Sequence, residues 1–354
     1  MKSKVFLVVI VLIFLAGLPI FAGGSKETKA ESSSSTGQTE SSSSSAQEGP
    51  FSGWKIASIM PGPINDAGFS ASAYNGLLEL EEMGAEIAYS DRVEQTDAEA
   101  IIGEYAMAGF DIVMASGYEF DDALVSAAEK YPDTKFVQID GGVENDNNLY
   151  SFGYLVGEGG YLLGLIAGSL TEKNVIGLLG GGTDPAMVWE FELAKRGVKE
   201  VAPGAEIMEA YVGSWYDPVK AKELAQGQIE AGADILISVC DAGDMGVVEA
   251  AQQAYDNGLK SMRVISWGED KNEIAPELLI SGWTTANARL MKEAAEAIIV
   301  EEKPAGHYVF GLREGVVGLL PYHGLVPPNV EKLVEEAIED YLSGDLVLEI
   351  RDDI

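Results

Sequence analysis

The stretch KIASIMPGPINDAGFSASAYNGL, residues 55 to 77, decides the fold. Lys55 to Met60 is β-rich, the Pro/Gly segment after it is a loop, and Phe69 onward has the apolar spacing of a helix. Strand, loop and helix in that order form the repeating unit of open parallel α/β sheets, which hold their ligands at strand-end loops. This loop delivers Asn65, Asp66 and Phe69 together. Hydrogen-bonding groups beside an aromatic face suit a flat, polar small molecule.

The same alternation continues along the chain. KIASIM, EIAYS, DIVMASG and KFVQID are expected strands, separated by SASAYNGLLELEEMG, DAEAIIGEYAMAG and DDALVSAAEKYP, amphipathic stretches that close near Gly or Pro. GYLVGEGGYLLGLIAGSLTEK reads as a small-residue helix leading out of a first lobe. A second series follows, with NVIGLLGGG, EIMEAYVG, DILISVCD and MRVISWG as strands around three more helices. The fold class expected is therefore α/β, two doubly wound parallel sheets joined by a hinge, with a cleft between them. Lobe 1 is assigned residues 53–165 with part of 284–354, and lobe 2 residues 166–283 with part of 310–354. A helix at ARLMKEAAEAIIVEE, strands at HYVFGL and GVVGLLPY, and a helix from Asn329 to Leu342 are expected to recross the hinge.

Residues 1–22 carry Lys2 and Lys4, then VFLVVIVLIFLAGLPIF, then small residues, the order of an export signal. An uncleaved anchor helix is the alternative. Residues 23–52 are expected to form a Ser-rich disordered tether, since they carry no apolar period. Both readings of the leader place the protein outside the cytoplasm, in the periplasm or on the outer face of the cell membrane. The one cysteine, Cys240, rules out an intrachain disulfide, and Gly23 stands where a lipid-modified cysteine would follow the leader. A net charge of −34 argues against nucleic acid as a partner.

Several motifs occur in the order seen in one family. Asn65-Asp66-Ala67-Gly68-Phe69 is similar to an Asp-x-x-Phe segment, Glu158 to Gly164 to an EGxYLAG helix, and Gly213 to Pro218 to a GSFxDP turn; Asp241 to Gly246 falls at a Gly-rich strand-end loop. From about Trp54 to the C-terminus the chain resembles the basic membrane protein family of extracellular solute-binding proteins, which is like the purine nucleoside receptors of bacterial ABC importers. The resemblance implies a bilobed periplasmic-binding type I fold closing on a purine nucleoside or nucleobase. By position, Phe69 and Trp215 would stack on the ring, Asp66 and Asp140 would accept its N–H groups, and Asp241 with the Gly243 backbone would line the loop. Asn65, Trp189, Trp267 and Trp283 complete the candidate set.

The family's Gly-Val-Asp, whose aspartate can bind ribose hydroxyls, is replaced by Ser266-Trp267-Gly268-Glu269-Asp270, so Gly268 stands for that aspartate unless Asp270 takes its role. A Thr-Ser-x-x-Lys run becomes Ile280 to Thr284, without the lysine. A free base, or a tricyclic ring such as a flavin, is the alternative ligand. No catalytic constellation emerges. GLLGGG at 177–182 lacks a following Lys-Ser/Thr, the two histidines His307 and His323 are far in sequence from Ser70, and Asp140 to Asp146 lacks the oxygen alternation of a calcium loop. The expectation is capture without chemistry, cofactor or metal, by a monomer that hands its ligand to an ABC permease; a ligand sensor is the other reading, and a hydrolase a weaker one.

Overall fold

Each lobe is one doubly wound sheet. The computed structural model describes residues 49–66, 68–284 and 286–352, so the leader (1–22) and most of the tether (23–48) lie outside the described residues. The tether read over 23–52 ends earlier than expected, because Phe51 is fully buried and its N–H donates to the Met83 carbonyl. The first sheet contains β1 (Lys55–Ile59), β2 (Glu86–Ser90), β3 (Ile112–Ser116), β4 (Lys135–Ile139), β5 (Leu149–Tyr154) and, from far along the chain, β11 (His307–Phe310). Their order is β11-β5-β4-β3-β1-β2, parallel throughout. The second contains β6 (Val175–Gly180), β7 (Glu206–Tyr211), β8 (Ile235–Val239), β9 (Arg263–Gly268) and β10 (Leu279–Thr284), in the order β10-β9-β8-β6-β7, also parallel.

In both sheets the first strand lies between the second and the third. The strand order therefore reverses beside β1 in one lobe and beside β6 in the other, and the crevice at such a reversal is where open α/β sheets bind ligands. Helices α1 (Phe69–Glu82), α2 (Gln95–Met107) and α3 (Asp121–Lys130) connect the first sheet; α5 (Pro185–Val201), α6 (Pro218–Glu230) and α7 (Asp244–Asp256) connect the second. Asp184 and Asp217 cap α5 and α6, each accepting an amide at 2.9 Å ahead of a proline at the first helical position.

Helix α4 (Glu158–Leu170) packs on α5 and on β8, so residues 158–165, expected in lobe 1, sit on the second sheet. Its glycines are the reason. A methyl group on Gly160 would lie 2.1 Å from the Glu190 carbonyl oxygen, and one on Gly164 2.2 Å from that of Ala194, so the two backbones touch along one stripe. Helix α8 (Asn287–Ala295) returns to pack on α1, and α9 (Pro328–Ser343) packs on α4. The chain thus crosses between sheets at Leu155–Gly157, between Thr284 and Asn287, and again after β11. At that third crossing GVVGLLPY, expected as a strand, makes only an isolated antiparallel bridge, Leu319 to Trp283.

One buried cluster, with Ile59, Val113 and Phe136, fills the far side of the first sheet. Another, with Leu179, Leu236 and Val264, does so in the second. The largest runs through both lobes and the hinge, from Ile56 and Leu77 by way of Tyr161, Phe191 and Trp283 to Leu290 and Val330.

Candidate functional site

The loops at the two strand-order reversals face each other. In lobe 1, Asp66 folds back on the start of α1, accepting the amides of Gly68 (2.9 Å), Ser70 (3.0 Å) and Ala71 (2.9 Å). It is 5% exposed, so this carboxylate first of all holds the loop that presents Phe69. Asn65 beside it is exposed. From lobe 2, Asp241 reaches across and its Oδ1 accepts the Phe69 N–H at 3.3 Å; Gly68 leaves room for it, since a methyl there would stand 2.7 Å from the same oxygen. The Phe69 carbonyl in turn accepts from Asn287 at 3.0 Å.

Asp140 at the end of β4 and Asp241 at the end of β8 both adopt left-handed backbone conformations, with φ of 62° and 48°. Aspartate tolerates that region better than most residues, yet it stores about 1–3 kcal/mol at each site, and strain of this kind collects at binding sites. The Tyr154 hydroxyl donates to Asp140 Oδ2 at 3.4 Å. Burial, reinforced by the charge of Asp184, pushes the Asp140 carboxyl up to about 7. Burial, then the charges of Asp66 and Asp244, does the same to Asp241, again to about 7, against the pull of Lys271. That lysine is itself almost fully buried, 2.8 Å from Asp244 and 2.8 Å from the Trp267 carbonyl, and so fixes the Asp241 loop to the end of β9.

Trp215 lies flat on the loop after β6. A methyl on Gly181 would lie 2.1 Å from its ring, so a side chain there would displace the indole, and one on Gly182 would press on it at 3.3 Å. The Trp215 carbonyl accepts the Gly243 N–H at 3.2 Å. The Gly243 N–H also donates to the Cys240 carbonyl at 2.8 Å, so it ties the Trp215 backbone to the turn after β8. Tyr118 of lobe 1 meets Trp215 across the mouth of the cleft, and Tyr216 closes over Gly62 and Ser70. These two tyrosines are 54% and 37% exposed, large rings left at the rim.

Three expected residues lie elsewhere. Trp189 donates its Nε1–H to the Glu349 carbonyl at 2.7 Å and carries the Arg351 guanidinium 4.2 Å over its ring, so it clamps the C-terminal segment. Trp283 is 1% exposed and belongs to the core, where it backs Trp267 at 6.1 Å between ring centres. Asp270 pairs with His323 at 2.9 Å on the surface. Trp267 is half-buried against Gly159 at the head of α4. Around Gly268 a cavity of about 290 Å³ opens between the lobes, bounded by Ser72, Glu269, Thr284, Ala288 and Arg289.

Tyr118, Glu119, Tyr154 and Asp184 were missed. Tyr118 and Glu119 follow β3 and Asp184 follows β6, strands at or beside the reversal points, and that position was the available signal, whereas Tyr154 ends β5, away from the reversal. Among the described residues no cluster of His, Cys, Asp and Glu is arranged to hold a metal ion.

Two parallel α/β lobes meeting at an aromatic cleft lined by carboxylates define a bilobed solute-binding protein. The chain matches the family described as ABC transporter substrate-binding protein, PnrA-like, over residues 54–345, and it belongs to that family. It is thus the solute-binding component of an ABC transporter. It is 28% identical over 301 residues to a purine-binding protein of Brucella abortus, covering 82% of each chain, and 26% identical over 301 residues to basic membrane protein A of Borreliella burgdorferi, covering 83% of this chain and 87% of that one. A solute-binding protein structure from Aeropyrum pernix superposes with a TM-score of 0.75 at 19% identity, over 85% of this chain and 94% of the other. One from Conexibacter woesei gives 0.68 at 26% identity, over 83% and 98%.

Proposed function

We propose that the cleft captures a purine nucleoside or nucleobase outside the cytoplasm and delivers it, as a monomer, to an ABC permease. The observation that carries this reading is the Trp215 indole, laid on Gly181 and Gly182 beside Asp184, with the buried carboxyls of Asp140 and Asp241 at the ends of β4 and β8. A flat ring rich in N–H donors satisfies both the face and the acceptors. Phe69, half-buried and on the opposite lobe, supplies a second face. The similarity to a purine-binding protein supports the same class of ligand. The cavity beside Gly268, with Glu269 on one lobe and Arg289 on the other, offers space for a polar arm such as a ribose. Flavin capture is the alternative, and a ligand sensor would use the same cleft.

The protein, unfolded and refolded to strip bound ligand, is melted with guanosine, inosine, adenine, guanine and riboflavin. A true ligand at a hundred times its dissociation constant adds about 2.7 kcal/mol, a rise of several degrees. A rise with riboflavin alone replaces the purine by a flavin, and no rise with any of them removes the reading.

A further inference from the structure

The chain beyond α9 touches both lobes. It runs back along α5, with Leu348 buried in the large core and Leu346 and Ile350 packed against it. Two side chains of α5, in lobe 2, hold this tail. Arg196 donates to the Val347 carbonyl at 3.0 Å, and Trp189 donates its Nε1–H to the Glu349 carbonyl at 2.7 Å while carrying the Arg351 guanidinium over its ring. The tail then pairs with the first crossing between the lobes. The Val156 N–H donates to the Arg351 carbonyl at 2.8 Å, and the Arg351 N–H donates to the Val156 carbonyl at 3.1 Å. One residue further, the Asp352 carbonyl accepts from His307 Nε2 of β11, in lobe 1, at 3.4 Å.

Val156 is thereby tied to lobe 2 through the tail, as Gly157 is through Glu190. Leu155, by contrast, is held on lobe 1, where its N–H donates to the Phe310 carbonyl at 2.8 Å. Rotation at this crossing is confined to the junction of Leu155 and Val156. We propose that residues 346–352 form a strap that stiffens the hinge and limits how far the cleft opens. Hinge motion is absorbed by a few residues at the ends of elements, so two backbone hydrogen bonds on so short a crossing restrict it where it matters most. Without the strap Val156 turns freely and the crossing becomes a longer, looser linker. The inference rests on the two-lobe architecture alone and holds whatever the cleft captures. Its effect on capture comes through the population of the binding-competent form, which scales the apparent affinity.

The test is hydrogen exchange read by mass spectrometry on the refolded, ligand-free protein, on Trp189→Phe and on a chain ended after Asp345. Trp189→Phe keeps an aromatic ring and removes the N–H that holds the Glu349 carbonyl. Amides at 155–157 are expected to exchange about threefold or more faster in Trp189→Phe and about tenfold or more faster in the shortened chain, as the loss of one and of several hydrogen bonds implies. Amides of β6 should keep the parent rate. Spin labels on Glu129→Cys of lobe 1 and Asn257→Cys of lobe 2, both exposed, should show a wider spread of distances in either variant than in the parent, with buried Cys240 unlabelled. Exchange at 155–157 that stays at the parent rate in Trp189→Phe, or rises there and in β6 alike, overturns the strap, as does an unchanged spread of distances. Should the shortened chain not fold, Trp189→Phe decides alone.

Discussion

Trp215 shows how a side chain is made functional by residues with no functional groups. Its position depends on the missing side chains of Gly181 and Gly182 and on the Gly243 amide that holds its carbonyl. Stacking of a heterocycle on an indole is worth roughly 1–3 kcal/mol. Trp215→Ala is accordingly expected to weaken ligand binding about tenfold or more, with a circular dichroism spectrum like the parent's. Unchanged affinity in titration would show that the indole is not a ligand face. Asp66 teaches the opposite lesson, since a carboxylate in a family-like position has three backbone amides as partners before any ligand arrives.

At the scale of elements, the α4–α5 contact sets where the hinge begins. Glu190 of α5 accepts the amides of Gly157 and Gly160, both at 2.6 Å, and so binds the first crossing to the second lobe. The glycine stripe then lets α4 lie against α5 backbone to backbone, burying all of Glu158–Gly168. Gly164→Val should force the helices apart, because its Cβ would start 2.2 Å from the Ala194 carbonyl oxygen. A loss of about 1–3 kcal/mol is expected in urea unfolding. A melting curve indistinguishable from the parent's would mean that the contact is looser than it stands here.

The molecule as a whole gathers acidic groups from both lobes into one cleft. Asp140 and Asp241 are raised to about 7 from an ordinary value of 3.8, so their protonated forms are favoured in the folded state. Their contribution is complete below about pH 4 and is lost as pH rises through 7. The ligand-free protein is therefore expected to lose stability as pH rises from about 4 to about 7, by on the order of several kcal/mol from this pair. The double variant Asp140→Asn, Asp241→Asn should lose less over the same range. Parallel melting-temperature profiles for the two proteins would refute the coupling. A bound donor-rich ligand removes the same repulsion, which ties capture to closure.

Two doubly wound sheets were legible in residues 55–77 and their echoes, because strand and helix periods are local properties of the chain. The family motifs likewise marked the loops carrying Phe69, Trp215 and Asp241. Strand β5 escaped notice although Tyr150, Phe152 and Tyr154 alternate along it, because its last two residues, Gly153 and Tyr154, were read into the following small-residue helix, and β10 because Gly282 weakens the pattern of a strand. Only the folded chain shows why that glycine is there, since a methyl at Gly282 would stand 1.8 Å from the Ser266 carbonyl oxygen. Tertiary structure alone also sorted the tryptophans, sending Trp189 to the C-terminal segment and Trp283 to the core while leaving Trp215 in the cleft. Periodicity is written in neighbours along the chain, whereas which aromatic faces a ligand and which carboxylate lacks a partner depend on residues far apart in sequence that meet only when the lobes pack.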